Sequence, residues 1–185
     1  MSRIIVACKS NAEYVNVCNA ISKSDYSVFA RATSSFELQN FVKVNDPDAV
    51  VIVGKIDNSV NFIDTIIEFN NCPVIVVDSE IQKANYYNFL GRSMFQFIED
   101  VSYDSSLNIV LEMLIKSSKE MGKLNQQVVK LEEKNKTMML VNQAKFFLVE
   151  TKGLSEMEAH KLINTLSMKH RQTKATIAKK ILDKK

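Results

Sequence analysis

Two kinds of apolar spacing divide the first hundred residues. Short strand-like segments rich in β-branched and aromatic residues occupy 3–8, 26–32, 49–53, 74–77 and 94–101, and those at 49–53 and 74–77 are apolar throughout. Between them, apolar residues recur every three or four positions, as on one face of a helix. Strand-like runs that alternate with helix-like segments are typical of a doubly wound α/β fold with a parallel sheet. The pattern therefore predicts five β/α units, with a ligand crevice beyond the C-terminal ends of the strands.

Several helix boundaries are marked by capping residues. The capping-box spacing Ser-x-x-Glu begins at Ser10 and again at Ser34. Helical segments are also predicted over 58–69 and 81–90, and the second ends at Gly91, a residue suited to a helix C-terminus. The α/β domain predicted from these signals covers 1–104.

From Leu107 to Met138 the apolar repeat changes to 3.5 residues, the signature of a left-handed coiled coil. The ten repeat positions are Leu107, Val110, Leu114, Ser117, Met121, Leu124, Val128, Leu131, Asn135 and Met138. Asn135 falls at a position where a buried amide fixes register at some cost in stability. We therefore predict a dimerisation helix over 105–138, with all of these positions except Ser117 in a homodimer interface. The alternative is one long amphipathic helix packed on its own domain.

After Met138 the spacing changes again. The helix continues to Gly153, and Ser155 with Glu158 forms a capping box for a second helix that is predicted to end at Met168. Thr173 is placed to cap a third helix. The sequence thus predicts a three-helix bundle over 139–185.

Charge is divided unevenly between the two parts of the chain. Residues 1–115 carry 8 basic and 14 acidic side chains, a net charge of −6, whereas residues 116–185 carry 16 and 7, a net charge of +9. Such asymmetry suggests that the C-terminal part binds a polyanion. Solvated helix faces are also often basic, so charge alone leaves both interpretations open.

The composition argues against a membrane protein, a secreted protein and a zinc or disulfide protein. No apolar run reaches membrane-spanning length and the N-terminus lacks the apolar core of a signal peptide, so a cytoplasmic protein is expected. The cysteines Cys8, Cys18 and Cys72 lack CxxC spacing, which favours buried thiols over a disulfide or zinc site. No cofactor or metal is predicted.

The order and spacing of the first 115 residues resemble the CheY-like receiver domain of bacterial response regulators. The residues that bind Mg²⁺ and accept phosphate in that family are absent from this sequence. Cys8 and Lys9 stand where the family has the carboxylates that hold Mg²⁺, and Val53, or Gly54 if the register slips, stands where it has the phosphoacceptor aspartate. Phosphoryl transfer needs a nucleophile, a metal and a cation. The resemblance therefore implies a pseudo-receiver that is not phosphorylated, with Asp57 as the nearest spare acid.

The family's remaining positions depart in the same way. Asp78, with Ser79 beside it, occupies the place of the family's threonine or serine, and Ile98-Glu99-Asp100 occupies the place of its lysine. The segments at Ser10–Glu13 and Asp78–Ser79 lie at predicted strand ends. A regulatory protein or small ligand is a possible partner there, although both segments are also explained as caps and loops.

The C-terminal residues resemble the ANTAR domain, the RNA-binding module of transcription antitermination regulators. The likeness is carried by Val141, Ala144-Lys145, Leu148, Gly153-Leu154-Ser155-Glu156, Ala159, Leu162, Met168, Ile177-Ala178 and Ile181. Phe146, Ser167 and Lys174 depart from the pattern. The resemblance implies a dimer that binds paired stem-loops of a leader RNA, one loop per ANTAR domain, so that a terminator hairpin cannot form.

Basic and polar side chains are predicted to cluster at the joint between the last helices. The candidate RNA-binding residues are Lys145, Lys169, His170, Arg171, Gln172, Thr173, Lys174 and Lys179. Lysines neutralise phosphates, and unstacked loop bases are read by stacking and hydrogen bonding. Other features have structural explanations: Ala144, Ala159 and Ala178 permit close helix packing, and Met168 is expected in the core. His160 and the pairs Lys179-Lys180 and Lys184-Lys185 suit solvated helix surfaces.

These observations favour an RNA-binding antiterminator that acts as a dimer and is not an enzyme. A DNA-binding regulator is the alternative, because short helices after a receiver-like domain are also the plan of helix-turn-helix regulators. The last helices lack an obvious recognition helix of polar base-reading residues. A signalling scaffold without nucleic acid is a third interpretation, which leaves the basic excess of the C-terminal part unexplained.

Overall fold

The computed structural model describes residues 2–21, 26–70, 72–100 and 103–183. The chain divides into two compact units, Met1–Lys123 and Leu124–Lys185. Val101, the predicted end of the fifth strand, and the Lys184-Lys185 pair lie outside the described residues.

The N-terminal unit is built on a parallel sheet of five strands in the order β2-β1-β3-β4-β5. The strands are β1 (Ser2–Ala7), β2 (Tyr26–Ala32), β3 (Ala49–Val53), β4 (Val74–Asp78) and β5 (Phe95–Glu99). This order is that of flavodoxin-like doubly wound folds, with a switch point between β1 and β3. The predicted fold class is confirmed. Strand β3 is apolar throughout, and β1 and β4 are apolar except at one end, because helices cover both faces of the sheet.

Helices flank the sheet and continue beyond it. They are α1 (Asn11–Ile21), α2 (Ser35–Asn45), α3 (Ser59–Asn70), a 3₁₀ helix (Glu80–Phe89), α4 (Tyr103–Lys152), α5 (Glu156–His170) and α6 (Lys174–Leu182). No helix in the described part of the chain has the length and apolar character needed to cross a membrane.

The predicted helix at 81–90 is of the 3₁₀ type. Three residues per turn place residues i and i+3 on one side, and Lys83, Tyr86 and Phe89 accordingly all face the sheet. The Tyr86 and Phe89 rings lie 6.2 and 5.4 Å from the Phe95 ring, and Lys83 Nζ lies 6.0 Å from the Phe97 ring. Burial of the aromatic rings stabilises this long 3₁₀ segment against the sheet.

The start of α4 belongs to the core of the N-terminal unit. Leu107 and Leu111 are fully buried and Ile115 is buried, beneath one face of the sheet, and Val110 and Leu114 pack partly against the same cluster. Leu107 therefore has no surface left for a partner helix. Its predicted place in the dimer interface is wrong, because the heptad position coincides with the side of α4 that the sheet covers.

The C-terminal unit has its own small core. It is formed by Val141, Ala144, Leu148, Ala159, Ile163, Ile177 and Ala178, from α4, α5 and α6. Gly153, at φ 62°, follows the last residue of α4, as predicted. Two predictions for Met168 are wrong: that it ends α5 and that it lies in the core. Helix α5 continues to His170, and Met168 is 79% exposed because Ile163 and the small alanines already fill the space between the helices.

Candidate nucleic-acid interface

The joint between α5 and α6 is a Schellman motif with arginine in the place usually held by glycine. Arg171 has φ 51°, its N–H donates to the Met168 carbonyl at 3.3 Å, and the Gln172 N–H donates to the Ser167 carbonyl at 3.1 Å. The Ser167 Oγ adds a bond to the Gln172 carbonyl at 2.6 Å. A left-handed conformation costs a non-glycine residue roughly 1–2 kcal/mol. The joint is thus tightly fixed, with the Arg171 side chain exposed.

Two of the predicted base-reading residues also hold the joint together. Thr173 caps α6, with Oγ1 accepting the Thr176 N–H at 3.2 Å and lying 2.8 Å from Thr176 Oγ1. The Gln172 Oε1 accepts a bond from Lys180 Nζ at 2.9 Å. Thr173 and Gln172 therefore position the exposed cations around them.

Four exposed cations surround this joint. Lys169, Arg171, Lys174 and Lys179 all have exposed side chains, and none of them forms an ion pair with an acid in the described residues. His170, the last residue of α5, is exposed beside them. Unpaired, solvated cations of this kind can neutralise phosphates by displacing bound counterions. We call Lys169, His170, Arg171, Lys174 and Lys179 the basic joint.

Lys145 lies apart from the basic joint. Its Nζ donates a hydrogen bond at 2.7 Å to Oε1 of Glu156, the first residue of α5. The Lys145 side chain is only 17% exposed. The 15 residues of α5, Glu156–His170, span about 22 Å and separate Glu156 from the basic joint. The prediction that Lys145 clusters with the other cations is wrong, because the sequence did not reveal which end of α5 it meets. Its hydrogen bond lowers the pKa of Glu156.

A cleft of about 490 Å³ opens beside the basic joint. Its lining is apolar at Leu166, Ile177 and Ile181 and polar at His170, Gln172, Lys180 and Asp183. Lys180 and Asp183 are not among the site residues predicted from the sequence. The available signal was helical spacing: Ile177, Lys180 and Ile181 recur at i, i+3 and i+4 and so share one side of α6.

In the N-terminal unit, an ion pair occupies the sheet edge where receivers hold a metal. Lys9 Nζ lies 2.9 Å from Asp57 Oδ2 and lowers the pKa of that carboxyl. Cys8 is buried, and burial raises the pKa of its thiol. Arg31 fixes the same loop by donating from Nη2 to the Lys9 carbonyl at 2.8 Å and from Nη1 to Asn11 Oδ1 at 2.9 Å.

The predicted phosphoacceptor positions offer no carboxylate. Val53 is the buried last residue of β3, and Gly54 follows with φ 64°. The space above Gly54 holds the Glu13 carboxylate, whose Oε1 lies 3.4 Å from the position of a Cβ built on that glycine. Glu13 is itself positioned by α1, where its N–H donates to Ser10 Oγ at 3.4 Å. A carboxylate is thus near this edge, but on a helix and not on β3.

A smaller cleft of about 290 Å³ lies at the same edge, lined in part by Asp57, Asn58, Asp78, Asn85 and Tyr86. The Asp78 Oδ1 accepts the Ser79 N–H at 2.8 Å, which is the local turn expected of a loop. Nowhere in the described ranges do three His, Cys, Asp or Glu side chains come together as metal ligands.

Residues 129–182 match the model of the ANTAR domain. This part of the chain is an ANTAR domain. The match includes the end of α4, all of α5 and all of α6, and therefore the whole basic joint. Comparison with curated protein sequences gives no match.

Solved structures place the N-terminal unit among receiver folds. The receiver domain of the stress response regulator RcsB from Escherichia coli aligns with a TM-score of 0.53 at 14% identity, covering 62% of this chain and 93% of that one. RcsB from Salmonella typhimurium gives 0.54 at 13%, covering 96% and 87%. Full-length FixJ from B. japonicum gives 0.55 at 11%, covering 97% of each chain. At such identities the likeness establishes the fold alone. A receiver-type fold and an ANTAR domain on one chain are the parts of a regulator.

Proposed function

We propose that this chain is a cytoplasmic, non-enzymatic antitermination regulator that binds paired stem-loops of a leader RNA as a homodimer. Each ANTAR domain takes one loop, and the bound RNA no longer forms the terminator hairpin. The observation that carries the proposal is the ANTAR domain at 129–182, whose basic joint is exposed and unpaired within the described residues.

The chemistry of the basic joint suits a structured RNA loop. Lys169, Lys174 and Lys179 supply point charges for phosphates, which gives affinity without sequence preference. The Arg171 guanidinium is planar and can both stack on an unstacked base and hydrogen-bond to its edge. The Schellman motif fixes the backbone of Arg171 before RNA arrives, so less backbone entropy is lost on binding.

Dimerisation is supported by the exposed apolar residues of α4. Leu124, Val128 and Leu131 are 56%, 52% and 64% exposed in the single chain, and Met138 is exposed as well. Contiguous exposed apolar residues of this kind mark an interaction surface. A second α4 with the same heptad repeat is a self-complementary partner for them.

The N-terminal unit is proposed to be a pseudo-receiver that receives its signal without phosphorylation. In place of the metal-binding and phosphoacceptor carboxylates it has Cys8, Lys9 and Val53, and the Lys9–Asp57 ion pair neutralises the carboxylate of the loop that follows β3. Its partner is a regulatory protein or a small ligand that docks at the C-terminal ends of the strands.

A titration of three nucleic acids tests the proposal. The full chain is added to an RNA with two hairpins, to the same sequence as duplex DNA, and to an RNA of equal length without hairpins. We expect the two-hairpin RNA to bind tightest when salt is held constant. Tighter binding to the duplex DNA would instead identify a DNA-binding regulator, and weak binding to all three would indicate a signalling scaffold.

A further inference from the structure

One side of α4 within the N-terminal unit is apolar and exposed. Ile109 and Met113 are 62% and 66% exposed, and Met121 is 39% exposed. Ser117 occupies the position between Met113 and Met121. Residues four apart are neighbours on a helix surface. Ile109, Met113, Ser117 and Met121 therefore form one uncharged row, which we call the α4 stripe.

The α4 stripe differs from the heptad positions predicted for the same turns. Leu107 and Leu111 are fully buried, and Val110 and Leu114 pack against the same core cluster. The sheet thus covers one side of the helix and leaves the stripe as its exposed apolar side. Glu112 and Lys116, which neighbour the stripe in sequence, are exposed and charged.

We propose that a second copy of this chain covers the α4 stripe, so that the homodimer interface continues into the N-terminal unit through Met113 and Ile109. This inference rests on the dimer of the proposed function. Met121 belongs both to the stripe and to the heptad repeat, and Leu124 follows one turn later in sequence. A partner helix that contacts Leu124 has to run only about 16 Å along the axis to reach Met113.

The change in spacing has a known consequence for paired helices. From Ile109 to Met121 the repeat is four residues, and from Met121 onward it alternates between three and four. A mean spacing above 3.6 residues opposes the left-handed supercoil that a spacing of 3.5 residues produces. The two α4 helices are therefore expected to pair as straighter helices beside the N-terminal units.

Cysteine crosslinking tests the stripe one residue at a time. Single cysteines replace Leu124, Met113, Ile109 or Glu112 in a Cys18→Ser background, in which the remaining Cys8 and Cys72 are buried. A short bifunctional maleimide is added and dimers are counted on a denaturing gel. We expect L124C, M113C and I109C to crosslink. E112C is the matched control, exposed but outside the stripe, and should give only the monomer band on the gel.

The outcomes separate the stripe from the dimer itself. Crosslinking of L124C with M113C no faster than E112C would overturn the stripe and leave the proposed dimer standing. Crosslinking of M113C without L124C would support the stripe and contradict the seam at Leu124. If no variant crosslinks and the protein sediments as a monomer, both ideas fail.

A charge placed in the stripe provides a second measurement. Met113→Glu should raise the dimer dissociation constant about tenfold or more, because a carboxylate would lose water in an apolar interface. Glu112→Lys should leave it unchanged. Equal effects of the two substitutions on sedimentation equilibrium would overturn the inference.

Discussion

Arg171 has a left-handed backbone conformation that glycine adopts at lower cost. Arg171→Gly should raise the stability of the C-terminal unit by about 0.5–1 kcal/mol, since glycine tolerates the left-handed region. The same variant should bind RNA more weakly, because the guanidinium is gone. Urea denaturation and RNA titration measure the two effects.

His170→Gly is the matched control for that stability change. The neighbouring residue is helical, so glycine there should cost about 1 kcal/mol. A loss of stability in Arg171→Gly as well would show that the arginine side chain stabilises the joint, and that the left-handed conformation alone does not explain its energetics.

Lys174 and Arg171 are predicted to have different roles: Lys174 contacts a phosphate, and Arg171 recognises a base. Lys174→Ala should weaken binding to cognate and scrambled loops alike and lower the salt slope by about one unit, as removal of a phosphate contact does. Arg171→Lys keeps the charge but loses the plane. It should cost roughly 1–3 kcal/mol on the cognate loop and much less on a scrambled one. Equal losses for Arg171→Lys on both RNAs would reduce Arg171 to a phosphate contact.

At the scale of elements, α5 depends on a capping box whose strength varies with pH. The Ser155 N–H and Oγ donate to Glu158 Oε2 at 2.8 and 2.6 Å, and the Glu158 N–H donates to Ser155 Oγ at 3.2 Å. The bonds from Ser155 hold the pKa of Glu158 below its usual value. A lowered folded-state pKa stabilises the helix above the unfolded pKa of about 4.3, and that contribution is lost as the pH falls through the folded pKa.

Glu158→Gln should therefore remove one pH-dependent part of the stability. Above about pH 5 the wild type should be more stable than the variant, and the difference should shrink as the pH is lowered below about 4.3. Urea midpoints measured between these conditions report it. Glu150→Gln, an exposed change on α4, is the control. A difference that does not vary with pH would mean that the carboxylate charge adds nothing to the cap.

The sheet edge gives a prediction about phosphorylation. Acetyl phosphate should leave no acid-labile phosphate on the chain, because β3 ends at Val53 and Lys9 is paired with Asp57. Intact mass measured before and after mild acid detects such a phosphate. Asp57→Asn is the control variant. A phosphate on the wild type that is absent from Asp57→Asn would identify Asp57 as an acceptor and contradict the proposed pseudo-receiver.

The elements that the sequence predicts correctly are those in which strand burial or helix capping alone determines the residue pattern. The apolar run at 49–53 is all of β3, because burial on both faces of a central strand leaves little ambiguity. Strand β2 also has the predicted bounds 26–32, although it lies at the edge of the sheet and is mostly half-buried. The site residues next to caps were also predictable, since Thr173 and Ser155 follow local rules. Capping and strand burial are decided by neighbouring residues, which the sequence contains.

The errors arose where tertiary packing decided between two faces of a helix. Leu107 fits both a heptad and the core-facing side of α4, and only the sheet shows that it is core. Met168 has the spacing of a core residue, yet Ile163 and Ala159 already fill that core. Lys145 was placed at the wrong end of α5 because its partner, Glu156, depends on how the helices cross. Neighbouring residues in the sequence do not determine which side of a helix is buried or which helix ends meet.

At the scale of the whole molecule, the basic charge and the ANTAR domain coincide. The +9 net charge of 116–185 covers the entire ANTAR match at 129–182. Long-range attraction to RNA follows from that charge, while the −6 of 1–115 discourages RNA from binding the receiver-type fold. Two such modules in one dimer can bind two hairpins of one RNA, and the second binding event is then intramolecular.

The last prediction concerns this coupling. Leu124→Lys combined with Leu131→Lys should give a chain that sediments as a monomer, because the two charges would face each other in an apolar seam. The variant should bind a single hairpin with the affinity of the wild type, since its ANTAR core is untouched. On the two-hairpin RNA it should lose the gain from linkage, about 10²-fold or more. Titrations of both proteins against both RNAs measure this. A loss of equal size on the single hairpin would mean that the substitutions damage the RNA-binding surface itself. Wild-type affinity of the monomeric variant for the two-hairpin RNA would mean that dimerisation has no part in RNA recognition.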